Sequence, residues 1–140
     1  MNDRGLLAHI VGRFAPRQWE NVASESLLYL LHRPGSSKAI NDLLAPLRFS
    51  LTGETWRGWA GGDDDRAIPD LVAEVGGRQS LMIETKFWAS LTDNQPLGYL
   101  LRQQKQFEGT DDPHLLLFLV PTRRRHMLTA ELEQILGVQH

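Results

Sequence analysis

At 140 residues, with 41% hydrophobic and 23% charged residues, the chain has the size and make-up of one ordinary globular domain, spanning 1–140 and able to bury a core without staples. The absence of cysteine excludes disulfides, thiolate metal sites and a cysteine nucleophile, and is compatible with a reducing compartment. No apolar run approaches the ~20 residues of a membrane span, residues 1–14 lack the pattern of a signal peptide, and a cytoplasmic protein with no membrane partner is expected. A net charge of −2 is unlike that of a protein binding a polyanion through its own overall field.

In chain order, Leu6, Leu7, Ile10, Val11 and Phe14 follow helical spacing and predict an amphipathic helix ending near Pro16. A second helix is expected from Trp19 to His32. Ala23, Leu27, Leu30 and Leu31 form its apolar stripe, Glu25, Tyr29 and His32 lie on a neighbouring face, and Pro34-Gly35-Ser36-Ser37 stops it. Ala39 to Leu44 predicts a further short helix, broken before Pro46. Phe49, Leu51, Thr55, Trp56 and Trp59 suit strands, with a turn at Thr52-Gly53. Gly61 to Asp65 reads as an acidic loop, and two short strands around Gly76-Gly77 follow, ending near Trp88. Thr92 or Asp93 then caps a helix with Pro96 in its first turn, which reaches Phe107. His114 to Val120 is the continuous apolar run of a strand buried on both faces, and Thr122 caps a last helix from Arg123 to Leu136. A helix between the hairpin and the buried strand implies a crossover, hence an α/β fold with a mixed sheet flanked by helices.

The hairpin holds the charges that need explaining. Side chains alternate along a strand, so Glu84 and Lys86 share one face while Ile83, Thr85 and Phe87 take the other. An acid and an amine inside an apolar run must be paired, solvated or metal-bound. A two-residue loop at Gly76-Gly77 pairs Val75 with Arg78 and puts Asp70 on the face opposite Glu84. A three-residue loop, Gly76 to Arg78, or an equivalent bulge, brings Asp70 across from Glu84, and this register is predicted. Two carboxylates so placed suit Mg²⁺, a hard cation usually held by one or two carboxylates plus substrate phosphate. With Lys86 alongside, the set suits phosphodiester cleavage by a metal-activated water. The same residues also suit a strand-end carboxylate and a surface ion pair.

Gln95 and Tyr99 are four apart on the next helix, and Arg102, Gln103 and Gln106 continue their face. Leu97, Leu100, Leu101 and Phe107 make the opposite, apolar side. The polar face could hold a phosphate backbone or orient water, or it could be the solvated side of an amphipathic helix.

Taken together, the chain resembles the PD-(D/E)XK nuclease superfamily, most closely its RecB-like and λ-exonuclease-like branch. Pro69-Asp70 matches the PD element, Glu84-Thr85-Lys86 the (D/E)XK element, and Gln95-Pro96-Leu97-Gly98-Tyr99 the QxxxY motif of that branch. Glu25 sits where the family commonly has a glutamate on the helix before the sheet. The resemblance runs from about Trp19 to Val120 in the order α-β-β-β-α-β and implies a restriction-endonuclease-like core. It implies that Asp70 and Glu84 hold Mg²⁺ or Mn²⁺, with the Thr85 carbonyl as a further ligand and Glu25 contributing directly or through water. Lys86 would be the catalytic lysine, Gln95 and Tyr99 would orient substrate or the lysine, and Arg102 would join them in binding substrate. The expected activity is hydrolysis of DNA, in DNA processing or defence against foreign DNA. The alternative is a catalytically inactive nuclease-fold module for DNA binding or assembly. Since the chain is acidic overall, positive charge toward DNA must be local, or come from the metal, from a homo-oligomer or from a partner protein.

Other candidates carry less. Asp63, Asp64 and Asp65 suit a second cation or a solvated loop, and Arg123, Arg124 and Arg125 suit phosphate contacts or a surface charge run. His32 and His114 lack partners at ligand spacing. Gly76-Gly77 is a turn and not a phosphate loop, because no helix follows it.

Overall fold

The computed structural model describes residues 19–58, 68–92 and 95–137. The helix expected at Leu6–Phe14, the acidic triplet Asp63–Asp65 and the alternative cap Asp93 lie outside these segments. The first described helix, α1, is Trp19–Leu31. Its inward stripe is Ser24, Leu27, Leu28 and Leu31, at i, i+3, i+4 and i+7, while Leu30, expected in the stripe, is exposed. The stripe is displaced because Ser24 goes inside. Its hydroxyl donates to the Glu20 carbonyl at 2.8 Å and lies 3.0 Å from Thr85 Oγ1, so the buried polar group is satisfied.

Helix α2, Ser36–Leu44, begins directly after Gly35, and Ser36 and Ser37 belong to it and not to the break. Its Asn41 side chain donates to the Leu51 carbonyl at 3.1 Å and accepts from the Leu51 N–H at 2.7 Å. That amide takes the place of a strand partner. Phe49 and Leu51 are therefore buried without being strand, contrary to expectation.

The sheet has four strands in the order β1-β2-β3-β4: β1 Thr55–Gly58, β2 Leu71–Val75, β3 Arg78–Thr85 and β4 Leu115–Leu119. The first two pairings are antiparallel and β3–β4 is parallel, with helix α3, Leu97–Gln106, in the crossover. The fold is thus α/β with a mixed sheet. Leu71, Ala73, Leu81 and Ile83 pack toward α1, with Leu44, Phe49, Leu51 and Trp56, while Val72, Met82 and Leu116 pack around Tyr99 of α3. Gly58 lets α1 approach β1, since a Cβ there would stand 2.7 Å from Leu28 Cδ2. The expectation that His114–Val120 is buried on both faces is corrected. β4 is an edge strand of the described sheet and only half-buried, and the strand buried throughout its second half is β3, which has neighbours on both sides.

The hairpin reaches the predicted register by the bulge and not by the loop. Gly76 and Gly77 both have positive φ (57° and 76°), which makes a two-residue turn that pairs Val75 with Arg78. Ser80 is then an extra residue in β3, so that Glu74 faces Gln79 but Ala73 faces Leu81. Its hydroxyl donates to the Ala73 carbonyl (3.3 Å) or to Glu54 Oε1 (3.1 Å).

Helix α3 is the largest departure from the sequence reading. It starts at Leu97 with Pro96 as N-cap, so Thr92 does not cap it. Part of its polar face is buried and part of its apolar face is not: Tyr99 and Gln103 are each 1% exposed, Leu97 43% and Leu101 63%, although Phe107 is buried. The cause lies in β3, because β4 begins only opposite Leu81 and leaves Gln79 without a strand neighbour on that side. Gln106 Oε1 accepts from the Gln79 N–H at 2.9 Å, and Gln103 Nε2 donates to the Gln79 and Leu115 carbonyls at 3.1 and 3.0 Å. Glutamines thus extend the sheet where backbone cannot.

After β4, a short 3₁₀ turn, Thr122–Arg124, precedes helix α4, Arg125–Leu136. The expected Thr122 cap is absent, since Arg124 is the N-cap and makes no side-chain cap bond. No described helix is long and apolar enough to cross a membrane.

Candidate functional site

Three chain segments meet at one end of the sheet: the start of β2 and the carboxyl ends of the parallel strands β3 and β4. In open α/β sheets this end is where ligands commonly bind. The register that pairs Leu71 with Ile83 continues to put Asp70 across from Glu84. The Lys86 N–H donates to the Leu119 carbonyl at 3.0 Å, which carries strand geometry one residue past β3. Lys86 therefore projects to the side of Glu84.

Glu84 is 4% exposed and Lys86 6%, and their charged atoms, Oε1 and Nζ, are 3.0 Å apart. Gln95 Nε2 donates to the same Oε1 at 2.7 Å, and the Tyr99 hydroxyl lies 3.1 Å from Oε2. Gln95 stands just before the N-cap and not on the helix as expected, and its Nε2 donates to the Tyr99 hydroxyl at 2.8 Å. The Tyr99 proton has a second acceptor in the Ile68 carbonyl at 3.2 Å, two residues before Asp70. Burial, and then the nearby negative charge of Asp70, push the Glu84 carboxyl above its usual value of 4.5, while Lys86 and Tyr99 pull it the other way. Burial and the Glu84 charge push the Tyr99 hydroxyl upward, so it remains a neutral donor.

Asp70 is held through Thr85. Its Oδ2 accepts from the Thr85 N–H at 2.7 Å and from the Thr85 hydroxyl at 2.5 Å, and that hydroxyl in turn meets Ser24 of α1. Both bonds end on Oδ2, and Oδ1 has no hydrogen-bond donor among the described residues. Helix α1 thus fixes one carboxylate and α3 the other.

Glu25 is exposed on α1, and its Oε1 is 3.4 Å from where a Cβ on Gly58 would be. Gly58 pairs with Leu71, so Glu25 stands over the sheet end near Asp70, on the α1 side. Among the described residues no three acids or histidines come together as a metal cage, so Glu25 is not gathered directly with Asp70 and Glu84. Arg102 is half-buried on α3. Gln103 and Gln106 serve the sheet and not the site. His32 lies 3.3 Å from the Trp56 carbonyl, and His114 stacks on Phe107 at 4.7 Å.

The donor set fits a small hard cation. Two carboxylates, one with an oxygen that no described donor occupies and one raised in pKa by burial and then by its neighbour's charge, gain from a positive ion between them. Two is also the carboxylate count usual for Mg²⁺, with water and substrate completing the shell.

Sequence reasoning missed Glu20, Ser24 and Trp88. The Glu20 carboxylate accepts from the N–H groups of Trp88 and Ala89, at 2.7 and 3.2 Å, and pins the loop that follows Lys86. Arg124 holds the same loop through the Lys86 and Ala89 carbonyls, at 3.3 and 3.0 Å. These contacts join residues 35 to 69 positions apart, which no local pattern signals. Searches with family models, and comparisons with curated proteins and with solved structures, give no match to the chain.

Proposed function

We propose that the chain is a Mg²⁺- or Mn²⁺-dependent deoxyribonuclease with a restriction-endonuclease-like core of the PD-(D/E)XK type. The observation that carries this reading is the buried Glu84 carboxylate, bonded at once to Lys86, Gln95 and Tyr99 and facing Asp70 across the hairpin. A surface ion pair does not need a buried glutamine and tyrosine to hold its acid, and a buried ion pair is weak as a stabilising device. The motif order Pro69-Asp70, Glu84-Thr85-Lys86, Gln95 to Tyr99 supports the same reading.

Asp70 and Glu84 would hold the cation, with the Thr85 carbonyl as a further oxygen and Glu25 reaching it through water. The cation supplies Lewis acidity toward the phosphate and acidifies an attacking water. Lys86 places an ammonium where negative charge develops on the phosphate. Gln95 and Tyr99 keep Glu84 aimed and hold Lys86 within reach of it. With these groups fixed by helices on opposite faces of the sheet, little reorganisation is needed when substrate arrives.

The test is cleavage of linear, circular and single-stranded DNA with Mg²⁺ or Mn²⁺, and with EDTA. Cutting that needs the metal and is lost in the Asp70→Ala, Glu84→Ala double variant supports the proposal. Cutting that persists in that variant ends it. A protein that cuts nothing and binds no Mg²⁺ is instead the inactive DNA-binding or assembly module.

A further inference from the structure

We infer that Trp88, with Arg123, forms a platform beside the carboxylates that stacks an unpaired nucleobase and grips the adjoining phosphate, so that the site takes single-stranded DNA. Trp88 is 63% exposed, an unusual place for the largest aromatic side chain. It is nonetheless firmly presented, because Glu20 holds the Trp88 and Ala89 N–H groups and Arg124 the carbonyls of Lys86 and Ala89. The Arg123 guanidinium lies 4.4 Å from the Trp88 ring centroid. A cation over one face of an aromatic ring is the arrangement onto which a base stacks from the other side.

Position and charge say what the occupant is. Trp88 is two residues after Lys86, and Arg124 bonds the carbonyl of Lys86 itself, so the platform is continuous with the proposed cleavage centre. In a chain of net charge −2, Arg123 on the ring and Arg124 on the loop carbonyls put two positive charges at this end of the sheet, and Arg123 is exposed. Glu20 of α1, the acid that reaches this loop, is engaged by two N–H groups. A polyanion with open base faces satisfies both the ring and the arginines. A duplex satisfies only the arginines, since its base faces are stacked.

This inference rests on the nuclease reading for its placement of the scissile strand, but its test does not use cutting. Binding of fluorescein-labelled oligothymidylate and of a blunt duplex of equal length is measured by anisotropy, in EDTA and at low salt. Wild type should prefer the oligothymidylate. Trp88→Ala should weaken that binding about tenfold to a hundredfold with an unchanged melting temperature, and Trp88→Phe should keep most of it. Arg123→Ala should weaken it and lower the slope of log affinity against log salt by about one, which Trp88→Ala should not do. Unchanged binding by Trp88→Ala, a wild-type preference for duplex, or no binding to either overturns the platform. So does a concentration-dependent dimer lost in Trp88→Ala while DNA binding stays, since Trp88 would then be covered by a second copy. Tight, Trp88-dependent binding by a protein that never cuts refutes the nuclease reading alone.

Discussion

Asp70 faces Glu84 across the hairpin because Ser80 is one residue too many for its strand. The turn alone would set Val75 against Arg78 and carry Asp70 opposite Ile83, and the bulge moves the partner on by one. In a chain without cysteine this relationship can be read directly. Asp70→Cys with Glu84→Cys should close a disulfide on mild oxidation, seen as loss of two titratable thiols in the monomer. Asp70→Cys with Ile83→Cys should not.

Lys86 and Glu84 should be unequal partners on removal. Lys86→Met should lower cutting by about a hundredfold or more. It should also cost roughly 3 kcal/mol of stability by leaving a buried carboxylate without its cation. Gln95 and Tyr99 still hold that carboxylate, so the fold should persist, as circular dichroism and denaturant titration would show.

The pH dependence of the metal-free protein follows from Glu84. Its folded pKa lies above 4.5, so its contribution to stability is fully present below the unfolded value and is lost as the pH rises through the folded one. Asp70→Asn removes a cause of that rise but keeps an oxygen to accept from Thr85. The variant should therefore melt higher than wild type near neutral pH, and the gain should shrink as the pH falls toward about 4, measured in EDTA.

Two buried glutamines, Gln103 on α3 and Gln95 just before it, separate structure from site. Gln103→Leu removes the donor to the Gln79 and Leu115 carbonyls, while its own Oε1 finds no partner among the described residues. The expected cost is about 1–2 kcal/mol in denaturant unfolding, with unchanged cutting per folded molecule. Gln95→Leu should lose a similar amount and lose cutting as well, because its amide ends on Glu84 and Tyr99.

The polar side chains that gather at the sheet end, and the order of the described elements, were readable in the sequence. Asp70, Glu84, Lys86, Gln95 and Tyr99 are legible from strand alternation and motif spacing, and the mixed sheet from a helix set between an apolar hairpin and an apolar run. Which faces point inward depended on how the elements meet. Period-based reading assigns apolar side chains to the core, yet α3 buries Gln103 and Tyr99 and exposes Leu97 and Leu101. It does so because an unpaired stretch of β3 and a buried carboxylate needed hydrogen-bond partners, a demand that arises only when β3, β4 and α3 are brought together. Edge or centre for β4, bulge or loop for the hairpin, and the contacts of Glu20, Ser24 and Trp88 belong to the same class. The contacts of Glu20, Ser24 and Trp88 are settled by residues far away in the chain, through bonds that local propensity does not encode.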